Sequence, residues 1–367
     1  MNSAENSRRT GFLVLAGVAA FLLAATLAAR ALALDLAVSG WFYDPVSGFF
    51  LRRAQPWEFM YRYGYLPGLV LTIVAVLAWA ASFRLARLAA WRPYIALFAL
   101  TSIIGAGVLV NGVLKPWWGR PRPVEVEQFG GHWQYQPPLS PGKMGKGHSF
   151  ACGHATMGFV FFAVVFWWRK SRKAALAGVA ATVMLGGLLS AARLVQGAHF
   201  FTDCLWSAGL MFLTAGSLYW WVLRIPQGGG LPKIGTTGKT ALALAGLLAG
   251  GLLLVQPVYE DLRVYVERAE KPGRLKVRIN HPLVREVVRY QEGRPQVSVV
   301  VEGFALPGND VLAYIRAPLT GDALVCDYEL LFRGVFLKRQ ARARAYLPPQ
   351  WEGKVGVDFI IAGEKVE

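Results

Sequence analysis

Charge is scarce in this sequence. Asp, Glu, Lys and Arg make up 17% of its 367 residues, against about 25% in a soluble domain. With 54% hydrophobic residues, an ordinary soluble globular chain is excluded. Cysteine is scarcer still: Cys152, Cys204 and Cys326 are the three present, and no CxxC pair occurs. That rules out a disulfide framework and a thiolate zinc site. Acid is also short, with 22 Asp and Glu against 39 Lys and Arg, for a net charge of +17. Such an excess can signal nucleic-acid binding. Here the basic residues fall in short runs at the ends of apolar blocks, as the positive-inside rule expects. No soluble module interleaves them with aromatics, so nucleic acid is not an expected partner. No internal repeat is visible.

What is present is a succession of apolar blocks. About 20 apolar residues are needed to cross ~30 Å of hydrocarbon. Residues 11–34 satisfy this, apart from Arg30. The run is longer than a signal-peptide core, so it is expected to be a retained anchor. Residues 35–64 are aromatic and mixed, which suits the headgroup level. Further crossings are expected at 65–83, 94–114, 153–168, 174–194 and 203–223. Arg84, Arg87, Arg92, Arg169, Lys170, Arg172, Lys173, Arg224, Lys233 and Lys239 mark the inner side. Residues 240–256 form a seventh apolar block, at the short end for a span.

From 257 the character changes. Alternating runs near 262–268, 274–279, 296–302, 311–315, 324–332, 338–346 and 354–361 are rich in Val and Ile and separated by turn signals. The predicted fold is a mainly α membrane protein: a six-helix core (1–224), a cytoplasmic linker (225–239), a seventh crossing (240–256) and a small all-β domain (257–367). About 110 residues suffice for that domain to bury its own core.

Three polar clusters interrupt the apolar sequence. They are Lys115-Pro-Trp-Trp-Gly-Arg-Pro-Arg122-Pro123, His148-Ser-Phe-Ala-Cys152-Gly153-His154-Ala155 and Ala192-Arg193-Leu-Val-Gln-Gly-Ala-His199-Phe-Phe-Thr-Asp203. The expected topology puts all three on the outer side. A phosphomonoester carries about two negative charges near neutral pH. Arg forks match its oxygens, and Lys adds a point charge. Lys115, Arg122 and Arg193 are therefore expected to bind it, with the Gly153 N–H as a further donor. His199 and Asp203 are four residues apart, which on a helix puts them on one face. The carboxylate is expected to hold one imidazole nitrogen so that the other faces phosphorus. His154 is left as general acid, and then as the base that activates water. Asp203 is the only carboxylate in the clusters, too little for a hard-metal cage, so neither metal nor cofactor is expected. His132, Lys146 and His148 are candidate substrate contacts. Arg30, Arg62 and Arg120 read as cations that snorkel to the interface, and His281 as a surface residue.

Together, Lys-x6-Arg-Pro, Ser-Phe-x-x-Gly-His-Ala and Arg-x5-His-x3-Asp resemble the three-motif signature of the type-2 phosphatidic acid phosphatase family. The likeness covers roughly residues 60–223. It implies a six-helix membrane core and metal-free dephosphorylation through a phosphohistidine. It also implies phosphate binding by Lys115, Arg122, Arg193 and Gly153, with His154 as acid, His199 as nucleophile and Asp203 as its partner. This sequence has Ala151-Cys152 where the family has Pro-Ser, and Ala192 where it has Ser. At position 152 a thiol, a weaker donor than a hydroxyl, joins the phosphate-binding set.

The expected protein is a bacterial inner-membrane lipid phosphatase, with its site and its β domain on the outer side and an envelope partner for that domain. The candidate substrates are lipid A phosphate, undecaprenyl pyrophosphate, phosphatidylglycerol phosphate and phosphatidate. The same phosphohistidine would also serve a lipid phosphotransferase, and Cys152 with Ala192 would suit a catalytically impaired lipid-phosphate binder. A cysteine-phosphatase loop is excluded, because Gly158 stands where its Arg is required.

Overall fold

The structure is a computed structural model. It describes all residues except 1–2, 168–170, 230–235, 267–271, 282, 292–293, 318, 321–322, 362–363 and 367. Trp168, Arg169, Lys170 and Lys233 thus lie outside the described residues. The chain divides into two units. One holds residues 1–143 and 147–250, and the other holds 251–367 with the segment Met144–Lys146.

The first unit is helical. Among the described residues, five helices are long and apolar enough to cross a membrane: Glu5–Ala31, Trp57–Ala81, Arg92–Glu125, Arg172–Val195 and Phe201–Gln227. Two shorter apolar helices, Gly153–Val165 and Ala243–Leu254, occupy the places of the fourth and seventh expected crossings. The fourth is broken by a turn between Gly153–Phe159 and Phe162–Val165. Burial explains why a short helix is tolerated there. Ala155, Val160 and Ala163 are fully enclosed, whereas Val70, Val74 and Leu77 on an outer helix are exposed, as a lipid-facing surface requires. Close packing sets its path: a Cβ on Gly158 would overlap the backbone of Gly186, the small-residue contact that lets membrane helices approach.

Residues 35–64 form a short helix Leu34–Gly40, a hairpin pairing Tyr43–Asp44 with Gly48–Phe49, and the helix Trp57–Tyr63. The third crossing widens from Arg92–Leu100 into an i→i+5 helix over Thr101–Leu114. With more residues per turn than an α-helix, it carries Asn111 and Lys115, four apart, on the side facing Gly153, where a Cβ would collide with the Asn111 amide oxygen and sit 3.0 Å from Lys115 Nζ.

The second unit is a β structure of two sheets. One orders Gln256–Tyr265, Gln296–Ala305, Phe336–Leu347 and Leu283–Tyr290. The other orders Glu364–Val366, Gly356–Ile361, Arg274–Ile279, Ala323–Arg333 and Asp310–Arg316, with Leu319–Thr320 beside Ala323–Arg333. Val277, Val297, Val299, Cys326, Tyr328, Ala343 and Phe359 meet in its core. Alternation along 341–345 supplies that face, as expected of a half-buried strand, whereas 297–301 are buried on both faces. The strand Leu283–Tyr290 was not expected from the sequence. Its Arg and Glu residues interrupt the apolar run, and it is held by parallel pairing with Phe336–Leu347.

Candidate active site

The three clusters meet in the first unit, held by backbone contacts between distant loops. Val124 N–H donates to Gly197 O (3.0 Å), which ties the first loop to the turn before His199. Ser149 N–H donates to Arg120 O (3.0 Å), and Cys152 N–H to Asp203 O (3.3 Å). Ser207 Oγ donates to Cys152 O (3.0 Å). The second cluster is thereby laid against the first turns of the helix Phe201–Ser217.

His199 is 1% exposed, which makes its hydrogen bonding decisive. Its Nδ1 lies 2.6 Å from Ser149 O. A carbonyl can only accept, so Nδ1 carries the proton and Nε2 keeps its lone pair. Here the structure departs from the sequence reading. Asp203 Oδ2 is 3.9 Å from Nδ1, beyond a hydrogen bond. The carboxylate is engaged elsewhere: Oδ2 accepts from Ser149 Oγ (2.6 Å) and from Phe200 N–H (2.8 Å). The second of these is the reach-back of an acid at N3 to the N-cap. Asp203 therefore acts on His199 through Ser149 and through its field.

The other Asp203 oxygen reveals a residue misjudged from sequence. Arg120 does not snorkel; it is fully buried. Its guanidinium donates to Asp203 Oδ1 (2.5 Å), Asp35 Oδ2 (2.6 Å), Thr202 Oγ1 (2.9 Å) and Gln136 O (3.1 Å). It also covers the Phe200 ring at 4.6 Å. Asp35 in turn accepts from Thr202 N–H (2.9 Å) and Thr202 Oγ1 (2.7 Å). One cation between two carboxylates satisfies a buried ionic network. Asp35, Ser149 and Thr202 were also missed. The signal for Asp35 was an acid placed directly after a 24-residue apolar block, where ionisable groups are costly and tend to have a role.

The cations of the three clusters are arranged differently. Lys115, Arg122 and Arg193 are electrostatic neighbours. Arg193 NH1 donates to Gln196 Oε1 (2.6 Å), and its guanidinium lies 4.4 Å over the Tyr61 ring. The Nε atoms of Arg122 and Arg193 are buried without a hydrogen-bond partner. Unpaired buried donors are costly, and these two belong to neighbouring guanidiniums. His154, half-buried between Tyr61 (5.3 Å) and Tyr65 (5.6 Å), feels Arg193, Lys115 and His199. The Cys152 thiol is fully buried within reach of Cys204 and His199.

Of the three candidate substrate contacts, one adjoins this set. His148 hydrogen-bonds the Lys115 backbone. Its pKa is pushed down to about 4, first by burial and then by Arg122 and Lys115, although part of the residue still reaches solvent. His132 sits in a turn with its N–H on Glu125 O (3.0 Å) and its ring edge-on to Trp133. Lys146 groups with the second unit.

Two cavities open on the set. One, of ≈620 Å³, is lined by both polar and apolar side chains, among them Tyr61, Tyr65, Leu69, Lys115, His154 and Met157. The second, of ≈680 Å³, holds Arg52, Arg53, Arg62, Arg122 and Arg193 with Glu58.

Residues 96–226 match the PAP2 superfamily. That stretch of the chain is thus similar to the PAP2 superfamily. All three clusters of the PAP2 domain lie inside the match; Asp35 and the β unit lie outside it. The chain is 40% identical over 130 residues to a lipid A 4'-phosphatase of Francisella tularensis subsp. novicida, covering 35% of this chain and 58% of that protein. It is 36% identical over 118 residues to a lipid A 4'-phosphatase of Rhizobium leguminosarum (31% and 50%). To one of Rhizobium etli it is 35% identical over 116 residues (31% and 44%). The chain thus spans about half the length of the curated relatives it matches. No solved structure matches it.

Proposed function

We propose that this chain is a lipid phosphatase that removes a phosphate monoester from a lipid headgroup, with a lipid A phosphate as the leading substrate class. One observation carries the reading: His199 keeps its Nε2 lone pair, with the Cys152 thiol in reach, in a site where the Nε donors of Arg122 and Arg193 have no partner. In the proposed reaction His199 Nε2 attacks phosphorus in line, and the bond from phosphorus to the lipid oxygen breaks. His154 gives that oxygen its proton. Lys115, Arg122 and Arg193 hold the three non-bridging oxygens, where charge shifts in the transition state. The imidazole becomes positive as the P–N bond forms. Its Nδ1–H bond to Ser149 O and the field of Asp203 favour that charge. His154 then takes a proton from water, hydroxide attacks phosphorus, the P–N bond breaks, and inorganic phosphate leaves. The apolar side chains that line the ≈620 Å³ cavity, Leu69 and Met157 among them, suit acyl chains.

The names of the relatives favour a lipid A phosphate over the other candidates. Charge favours a site on the outer face of a bacterial inner membrane, because Arg84, Arg87, Arg172 and Lys173 lie at the opposite ends of the crossings. The test is release of inorganic phosphate from lipid A by the purified full chain. Release is expected from the native protein and absent in His199→Ala. Transfer to an acceptor lipid without free phosphate would make it a phosphotransferase, and full turnover by His199→Ala would overturn the mechanism.

A further inference from the structure

The arginine-lined cavity holds more positive charge than one phosphate needs. Lys115, Arg122 and Arg193 already suffice for a group carrying about two negative charges. Of these, Arg122 and Arg193 line the arginine-rich cavity, which also presents Arg52, Arg53 and Arg62, opposed by Glu58 alone among its lining residues. Glu58 is committed to Arg62 at 2.6 Å. Neither Arg52 nor Arg53 is paired with a carboxylate among the described residues. This rim is tied to the reacting centre. Gln196 Nε2 donates to Arg52 O (3.3 Å), while Gln196 Oε1 accepts from Arg193 (2.6 Å). One side chain thus bridges the segment carrying Arg52 and Arg53 to the arginine beside the nucleophile. The cavity and the unpartnered Nε atoms of Arg122 and Arg193 point to an anionic occupant wider than one phosphate.

We infer that Arg52, Arg53 and Arg62 form a second anion subsite, and that the substrate headgroup carries another phosphate or carboxylate beyond the phosphate that is removed. This rests on the phosphatase reading for the identity of the first subsite. The second anion is bound and undergoes no chemistry. Arginine forks at a half-open rim act through steering and selection more than through deep burial, so the subsite discriminates between headgroups.

The experiment compares a bisphosphorylated disaccharide lipid with a singly phosphorylated one. It uses the full chain and its Arg52→Glu, Arg53→Glu double variant, with thermal unfolding as the folding control. The ratio of kcat/KM values, bisphosphorylated over monophosphorylated, is expected to fall about tenfold in the variant, chiefly through KM. An unchanged ratio would overturn the subsite. A second readout needs no turnover: retention of the two lipids as non-hydrolysable phosphonates, by native mass spectrometry. Preferential retention of the bisphosphonate by the native chain, lost in the variant, supports the subsite even if neither lipid releases phosphate, in which case the phosphatase reading alone would fall. Phosphate release with equal retention would leave the phosphatase standing and remove the subsite.

Discussion

Two sets of charge belong to this site, and they differ in whether their partners are supplied. In the inner set, Arg120 is enclosed between Asp35 and Asp203, with Thr202 and Gln136 completing its bonds. In the outer set, Lys115, Arg122 and Arg193 crowd together, and two of their Nε atoms find nothing. Arg120 and Arg122 are two residues apart in one Arg-Pro-Arg-Pro run. The first completes a buried network, and the second is the one that the proposed reading gives to the phosphate. Satisfied charge fixes geometry, whereas unsatisfied charge is stored binding energy. On the proposed phosphatase reading, a site that grips a dianion and releases it after the reaction needs both kinds, kept apart.

The sharpest way to break this contrast is to exchange the two roles by mutation. Arg120→Leu leaves two buried carboxylates without their cation, so it should cost about 3–5 kcal/mol of stability, read as a large drop in the thermal midpoint or as failure to accumulate. Asp35→Asn should weaken the same network less, since an amide oxygen still accepts. If Arg120→Leu melted like the native chain, the inner set would not be structural.

Arg122→Ala should behave oppositely. It should lower turnover by about 10²–10³, the typical effect of removing one transition-state donor. The thermal midpoint should move little, because among the described residues the Arg122 guanidinium has no hydrogen bond to lose and only the attractive field on Glu125 is lost. A destabilised Arg122→Ala would blur the distinction between the two sets.

The smallest effect is a pH dependence at His148. Its pKa of about 4 lies below the ordinary 6.5 because burial and then Arg122 and Lys115 disfavour the cation. The unfolded chain therefore binds the proton first as pH falls. This group's contribution to stability is complete above pH 6.5 and is lost progressively between 6.5 and about 4, with no further loss below. An oxyanion bound to Arg122 and Lys115 removes part of their field. Vanadate or phosphate binding should then take up protons in that window, and His148→Asn should reduce the uptake, leaving the share of His154, which feels Lys115 and Arg193 as well. Calorimetry in buffers of different ionisation enthalpy measures it.

Much of this was legible in the sequence. The crossings stood out as apolar blocks, and the three clusters stood out because imidazole, guanidinium and carboxylate are expensive beside them. What could not be read was direction. Arg120 and Arg122 share one tetrapeptide, and nothing in their order says which points inward. The spacing of His199 and Asp203 predicted a direct hydrogen bond. The helix start at Phe201 diverted that carboxylate to Phe200 N–H, and the serine preceding Phe150 supplied both the Oγ it binds and the carbonyl that holds His199. Helix length failed at Gly153–Val165, because an enclosed helix is not bound by membrane thickness. In the β unit the expected strands were those with β-branched weight, while Leu283–Tyr290 depends on pairing that only the three-dimensional arrangement supplies.

The central claim is that His199, oriented by Ser149 O, carries the phosphoryl group. Rapid acid-free quenching of the full chain with lipid A labelled in its phosphate, followed by peptide mass spectrometry, tests it directly. The account predicts an acid-labile, base-stable phosphoryl group on His199 Nε2 that disappears as inorganic phosphate forms. Label on Cys152, or steady phosphate release with His199 never modified, would contradict it.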